Sequence, residues 1–165
     1  MQQPQDIVIT GVGVVSPIGI GCEPFWESLA TGTSGIRPID LFDSSSLRVR
    51  FGGQVPDFDP KLFVRPRKSL KVMSREIQMG FAAADLAMAD AGLAAGHVDP
   101  ERFGVVFGGD MIYADLEDLE RTYRRSAVDG RFSFPAWAEA IHEELHPLWL
   151  LKHLPNMAAS HVAIA

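Results

Sequence analysis

A glycine-interrupted apolar run near the start of the chain constrains the fold more than any other feature. Residues 6–21 read DIVITGVGVVSPIGIG, in which Ile7, Val8 and Ile9 form an uncharged, β-branched run of strand length. A strand that is apolar at successive positions has both faces covered, which is typical of a parallel sheet layered with helices. The sequence therefore predicts an α/β fold whose first strand, over residues 7–10, is buried.

The glycines that follow, Gly11, Gly13 and Gly19, allow two interpretations. One is a dinucleotide-binding loop, but the spacing is G-x-G-x-x-S and Pro17 stands where a helix should already be running. A second strand that ends in an acidic residue about twenty residues later, which ribose binding requires, is also missing from the sequence. We therefore favour close backbone packing, which glycine permits because it has no Cβ.

Length, charge and cysteine content exclude several classes of protein. The 165 residues fit one domain, and the net charge of −6 argues against a general nucleic-acid binder. No basic N-terminal segment precedes a long apolar run, so we expect neither a secretory signal nor a membrane span. The one cysteine, Cys22, fits a reducing cytoplasm, and no basic residue lies near it in sequence to activate its thiol. We interpret it as structural.

Capping signals and periodicity place the helices. The predicted helical segments are 22–29, 74–91, 115–125 and a helix opened by Pro135. In the first, Phe25, Trp26 and Leu29 are expected to face inward. The second is capped by Ser74 and stopped at Gly92. The apolar run GVVFGG at 104–109 predicts a second buried strand, and the alternation over 47–52 predicts an edge strand.

The helix opened by Pro135 contains the sequence of a zinc-protease motif. His142-Glu143-Glu144-Leu145-His146 is H-E-x-x-H, in which two histidines one turn apart bind the metal and a glutamate activates water. No Asp or Glu follows Glu144, however, so the usual third ligand is missing from this sequence. Pro147 also ends the helix directly after the second histidine. A zinc hydrolase therefore stays a remote alternative, and we assign no metal ligands.

One basic cluster stands out in this acidic chain. Its members are Arg65, Arg67, Lys68, Lys71 and Arg75, with no acidic residue before Glu76. A local reversal of charge can attract an anionic partner through the long-range field. A solvated loop leading into a helix is the other interpretation, and the residues alone do not separate the two.

Several segments together resemble the β-ketoacyl-acyl-carrier-protein synthases, condensing enzymes of fatty-acid and polyketide synthesis with a thiolase-like fold. The segments are IVITGVGVVSPIG and FWESLATGTSGI, FDSSSLRVRFGGQV, KSLKVMSREIQMGFAAADLAMADAGL, GVVFGG and PNMAASH. Their order and spacing carry the resemblance almost from end to end. It implies that a complete protein joins an acyl group, held on cysteine, to a decarboxylated malonyl thioester, with no cofactor.

The resemblance also implies that the catalytic residues lie beyond this sequence. In the family the nucleophilic cysteine, two histidines and a lysine follow the Asn-Met pair, matched here by Asn156 and Met157, further along the chain than Ala165. Neither Cys22 nor the histidines His142, His146 and His161 match them. We therefore expect residues 1–165 to be the N-terminal half of the synthase domain, cut before the catalytic cysteine and inactive alone, with no catalytic residue of its own.

Other family roles can be placed on this chain as expectations. Arg67, Lys68 and Lys71 match the basic positions at which the family docks the acyl carrier protein. Met111 falls at the apolar gate of the acyl pocket, and Leu148 and Trp149 fall where a residue crosses the dimer interface into the partner's acyl pocket. The expected partners are thus the carrier protein and a second copy, or the missing C-terminal half. The alternative is a non-catalytic partner subunit, like a chain length factor.

Overall fold

This computed structural model describes residues 6–93, 98–109 and 115–165. These residues form two compact units. Of the described residues, the first unit comprises 6–64, 79–93 and 98–104, and the second comprises 65–78, 105–109 and 115–165. Among the described residues, no helix is both long enough and apolar enough to cross a membrane.

The first unit combines two small antiparallel sheets with helices. Its elements in chain order are β1 (Val15–Ser16), β2 (Gly19–Ile20), α1 (Cys22–Thr31), β3 (Ile36–Pro38), β4 (Phe51–Gly53), the 3-10 helix η1 (Pro60–Leu62), most of α2 (Arg75–Asp90) and the 3-10 helix η3 (Pro100–Arg102). Strand β1 pairs with β2, and β3 pairs with β4 in the register Ile36 to Gly53. Val64, Phe81 and Ala82 are its buried apolar residues among those described.

The second unit surrounds a helical pair. Its elements are the 3-10 helix η2 (Arg67–Val72), the first turn of α2, α3 (Leu116–Arg125), the hairpin strands β5 (Ala127–Val128) and β6 (Arg131–Phe132), α4 (Phe134–Glu144), the 3-10 helix η4 (Trp149–His153) and α5 (Met157–Ile164). Helices α3 and α4 pack together, and η4 contacts both η2 and α5. The buried apolar residues here are Met73, Ile77, Ala140 and Ala158.

The helices begin and end where the capping signals predict. Gly32 takes a left-handed conformation (φ 70°) after α1. The Ser74 hydroxyl accepts the Ile77 N–H at 3.3 Å at the start of α2, and Gly92 (φ 68°) follows that helix. The Ser133 hydroxyl accepts the Ala136 N–H at 3.4 Å, next to Pro135 in the first turn of α4. The predicted helices are confirmed, with ends shifted by at most two residues.

The two predicted buried strands are wrong. Residues 7–10 and 104–109 lie in no strand, and the side chains of Ile7 and Val106 are fully exposed. A strand buried on both faces needs paired neighbours and a covering layer on each side, which these described residues do not provide. The predicted edge strand, 47–52, pairs only from Phe51 onward. Within α1, Trp26 (70% exposed) and Leu29 face outward, contrary to prediction.

Candidate functional site

The predicted docking residues lie on the 3-10 helix η2. This helix follows Pro66, whose backbone is extended, and it presents Arg67, Lys68 and Lys71 as exposed side chains. Ser69, Leu70 and Val72 are half-buried on its other side. The three basic side chains, called the basic patch below, therefore project from one short element of the second unit, where an anionic surface can reach them.

The chain directly after the basic patch is enclosed and hydrogen-bonded. Met73 is 2% exposed and Ser74 is 1% exposed. The side-chain amide of Gln78 donates to the Met73 carbonyl at 3.0 Å. The ring nitrogen Nε2 of His161, on α5, is buried without a hydrogen-bond partner among the described residues. Burial lowers the pKa of His161, and the backbone carbonyl of Val72 acts in the opposite direction because a carbonyl favours the protonated ring.

Leu148 and Trp149, predicted to reach an acyl pocket, lie at the start of η4. Leu148 is about half exposed, whereas Trp149 is partly enclosed and its indole ring lies 4.5 Å from the His153 ring, tilted by 51°. The indole Nε1 and both ring nitrogens of His153 are buried, without a hydrogen-bond partner among the described residues. Since η4 contacts η2, the predicted pocket residues and the basic patch belong to one packed cluster.

An open apolar groove runs beside Trp149. It has a volume of about 350 Å³ and is lined by Ile141, His142, Leu145, His146, Pro147, Trp149 and Leu150. The end of α4 provides one wall and the following segment the other. The two histidines of the H-E-x-x-H segment therefore line a groove that is otherwise mainly apolar.

The geometry of the H-E-x-x-H segment gives no support to a zinc centre. Helix α4 ends at Glu144, so His146 lies beyond it, and the His146 Nδ1 accepts the Leu148 N–H at 3.1 Å. That bond engages the Nδ1 lone pair of His146 within its own turn of the chain. Glu143 and Glu144 both bind Arg125, at 2.6 and 3.0 Å. The described residues hold no group of three His, Cys, Asp or Glu side chains able to share a metal.

Cys22, interpreted from the sequence as structural, belongs to the first unit. Cys22, at the start of α1, is exposed, and its thiol donates to the Val12 carbonyl at 3.1 Å. Met111 lies outside the described residues. Sequence reasoning missed Gln78, whose side-chain amide holds the carbonyl that follows η2. A bond to a backbone carbonyl has no sequence signature, so this residue could not have been found from the printed sequence.

Comparisons with known proteins identify the family. Residues 4–165 match the family "Beta-ketoacyl synthase, N-terminal domain". The granaticin polyketide putative beta-ketoacyl synthase 1 of Streptomyces violaceoruber is 38% identical over 125 residues, which are 76% of this chain and 29% of that protein. The 3-oxoacyl-[acyl-carrier-protein] synthase 2 of Coxiella burnetii is 31% identical over 158 residues, 96% of this chain and 35% of that protein. The chain thus spans about a third of the length of these relatives.

A solved structure gives the fold. The ishigamide ketosynthase/chain length factor superposes with a TM-score of 0.67 at 26% identity, over 95% of this chain and 36% of that one. The chain is therefore an α/β protein of the thiolase-like class. Within that class the chain belongs to the β-ketoacyl synthase family. Residues 4–165, almost the whole chain, match the N-terminal domain of that family.

Proposed function

We propose that this chain is the N-terminal part of a 3-oxoacyl-[acyl-carrier-protein] synthase of fatty-acid or polyketide synthesis. The family match over residues 4–165 is the observation that carries the proposal. In the complete protein, an acyl group held as a thioester on cysteine is attacked by the carbanion left when malonyl carrier protein loses carbon dioxide. The new carbon–carbon bond yields a β-ketoacyl carrier protein and frees the cysteine thiol.

Within that reaction, the residues of this chain bind and orient the substrates, and none of them reacts. The basic patch on η2 docks the acidic carrier protein by electrostatic attraction. Leu148 and Trp149 line an acyl pocket across a subunit interface, and Met111 gates the pocket. The name of the Coxiella relative includes the acyl carrier protein, and the exposure of all three basic side chains supports this part of the proposal. We place the working protein in the cytoplasm, as a dimer.

The second candidate function is a non-catalytic partner subunit. The similarity to a ketosynthase/chain length factor, in which two subunit types are named together, favours it. In that case the chain shapes a pocket and an interface for a catalytic partner. The nucleophilic cysteine, which the family places beyond residue 165, separates the two candidates.

Covalent labelling of the full-length protein tests the choice. The protein is incubated with carrier protein that holds an acyl group as a thioester and is examined by peptide mass spectrometry, with Cys22→Ser as the control. An enzyme carries the acyl mass on a cysteine beyond residue 165, and Cys22→Ser leaves that label unchanged. No acylated cysteine, together with activity only after a second subunit is added, establishes the partner subunit. We expect residues 1–165 alone to form no β-ketoacyl product, and product formation by that chain would overturn the proposed division of roles.

Charge reversal in the full-length protein tests the docking role. Lys68→Glu with Lys71→Glu should weaken carrier-protein binding about 2- to 30-fold at low salt, because each exposed ion pair is worth roughly 0.2–1 kcal/mol. The remaining binding should also depend less on salt. Arg48→Glu with Arg102→Glu changes the net charge equally at two other exposed positions and should leave binding unchanged. Equal losses in both variants would show that net charge alone matters and that the patch has no docking role.

A further inference from the structure

Both walls of the apolar groove are tied to one helix, α3. The wall at the end of α4 is held by Arg125, whose Nη1 donates to Glu143 Oε2 at 2.6 Å and to Glu144 Oε1 at 3.0 Å. The other wall is the segment that follows α4 and enters η4. It is held through Lys152, whose Nζ donates to an Asp118 carboxylate oxygen at 2.9 Å. Ion-paired hydrogen bonds from one helix therefore fix the position of each wall.

The two anchoring residues lie on the same face of α3. Asp118 and Arg125 are two helical turns apart, and Thr122 lies between them on that face. Thr122 has no exposed surface, so this face of the helix is the one that packs against its neighbours. At about 1.5 Å per residue, the anchors are separated by roughly 10 Å along the helix axis. The spacing of these residues on α3 therefore sets the spacing between the two walls.

The last turn of α4 depends on Arg125 for its charge balance. Glu143 and Glu144 are adjacent carboxylates at the end of that helix, where the helix dipole disfavours negative charge. The same turn carries Ile141 and Leu145, which line the groove, and the Leu145 N–H donates to the Ile141 carbonyl at 3.1 Å. Without the guanidinium, the two carboxylates repel each other and the dipole, so we expect this turn to loosen and the wall to move.

We propose that Arg125 is a positioning residue for acyl-chain selection: it holds the end of α4 at a fixed distance from η4 and so sets the length of saturated acyl chain that the groove beside Trp149 accepts. This inference rests on the proposed function, in which Trp149 lines an acyl pocket. The groove is lined mainly by apolar side chains, and its volume of about 350 Å³ is typical of a small-molecule site, so an apolar chain fits it. Arg125 itself does not line the groove and acts through the wall that it holds.

The test measures kcat/KM for saturated acyl carrier thioesters that lengthen by two carbons at a time. It uses the full-length protein, with a second subunit where it needs one. Arg125→Met, similar in length but uncharged, should reduce the discrimination between the best chain and the next longer one by about 3- to 10-fold. A loosened wall should cost less than the factor of about 10 or more that a whole methylene is worth in a pocket.

Two further arginine variants show whether the link between α3 and α4 is responsible. Arg125→Lys keeps a cation and should retain most of the discrimination between chain lengths. Arg124→Met is the matched control, because Arg124 binds Glu120 of its own helix at 2.7 Å and should leave the profile unchanged. Leu145→Ala enlarges the groove directly and should shift the preference towards longer chains.

The outcomes separate this inference from the proposed function. A wild-type profile in Arg125→Met overturns the inference, and so does an equal fall for every chain, which signals general damage. An unchanged preference in Leu145→Ala also overturns it, because the acyl chain then lies outside the groove. If Arg125→Met does not fold, Glu143→Gln with Glu144→Gln should relax the discrimination in its place, and no change there overturns the inference. If the wild-type protein, with or without a second subunit, condenses none of these thioesters, the proposed function fails and the inference fails with it.

Discussion

At the residue scale, Gly11 and Gly13 hold their segment against helix α2. A Cβ at Gly13 would collide with the backbone of Ala83 and lie 2.6 Å from the nitrogen of Ala87. A Cβ at Gly11 would collide with Ala87 and lie 2.6 Å from the nitrogen of Ala91. The Val12 N–H between them donates to an Asp90 carboxylate oxygen at 2.9 Å. The interpretation of these glycines as close packing is therefore confirmed.

Gly13→Ala in the full-length protein should lower the free energy of unfolding by about 1–3 kcal/mol, the usual cost of forcing a methyl group into filled space. The obstructing atoms are backbone, so a change of side-chain rotamer cannot relieve the clash. Gly52→Ala is the control, because a Cβ there would meet nothing within 4 Å. Urea denaturation of both variants provides the comparison. Equal stabilities would mean that the segment does not lie on α2 as described.

At the element scale, a partly buried ion pair joins η4 to α3. The Lys152 Nζ lies 2.9 Å from an Asp118 carboxylate oxygen, and the two side chains are 20% and 27% exposed. Helix α3 is tied to α4 by Arg125, whose bonds to Glu143 and Glu144 raise the pKa of its guanidinium. That second link is more exposed and should contribute less, because solvent screens it.

Lys152→Met should destabilise the full-length protein by about 1–3 kcal/mol, since it leaves the Asp118 carboxylate partly buried without its cation. Asp118→Leu added to Lys152→Met should restore most of the stability, because no charge is then left unpaired. Thermal melts of the two single variants and the double variant form a double-mutant cycle. Strictly additive losses would show that the two groups do not interact.

Helix positions could be predicted from the sequence because their signals are local. Ser74 and Gly92 bound α2, and Pro135 opens α4, whatever the rest of the chain does. Strand formation depends on partners that are distant in sequence. The apolar runs at 7–10 and 104–109 therefore predicted strands that the structure does not contain at these residues. The exposure of the basic patch could also be predicted, because charged side chains usually stay in solvent whatever the rest of the chain does. The ion pair of Lys152 with Asp118 joins residues that are 34 positions apart in the sequence, and no local signal indicates it.

At the scale of the whole molecule, both units expose apolar side chains that ordinarily lie in a core. Ile7, Val8 and Ile9 are exposed in the first unit, and Val106 is fully exposed in the second. Apolar area transferred out of water contributes about 25 cal/mol per Å², so each 1,000 Å² left bare forgoes roughly 25 kcal/mol as an upper estimate. Even a third of that value is comparable with the whole stability of a domain.

The chain of residues 1–165 in isolation should therefore associate with itself, or aggregate, rather than remain monomeric. Light scattering at micromolar concentration measures this directly, and a monodisperse species of 18.0 kDa with a cooperative melt would contradict the expectation. The variant Ile7→Lys, Ile9→Lys and Val106→Lys should shift the chain towards the monomer, because charged side chains oppose the contact of apolar runs. Lysines introduced at the exposed polar positions Ser46 and Glu101 add the same charge without removing apolar surface, and they serve as the control. If the control variant dissociates as fully as the first, general charge repulsion rather than the covering of apolar runs governs the association.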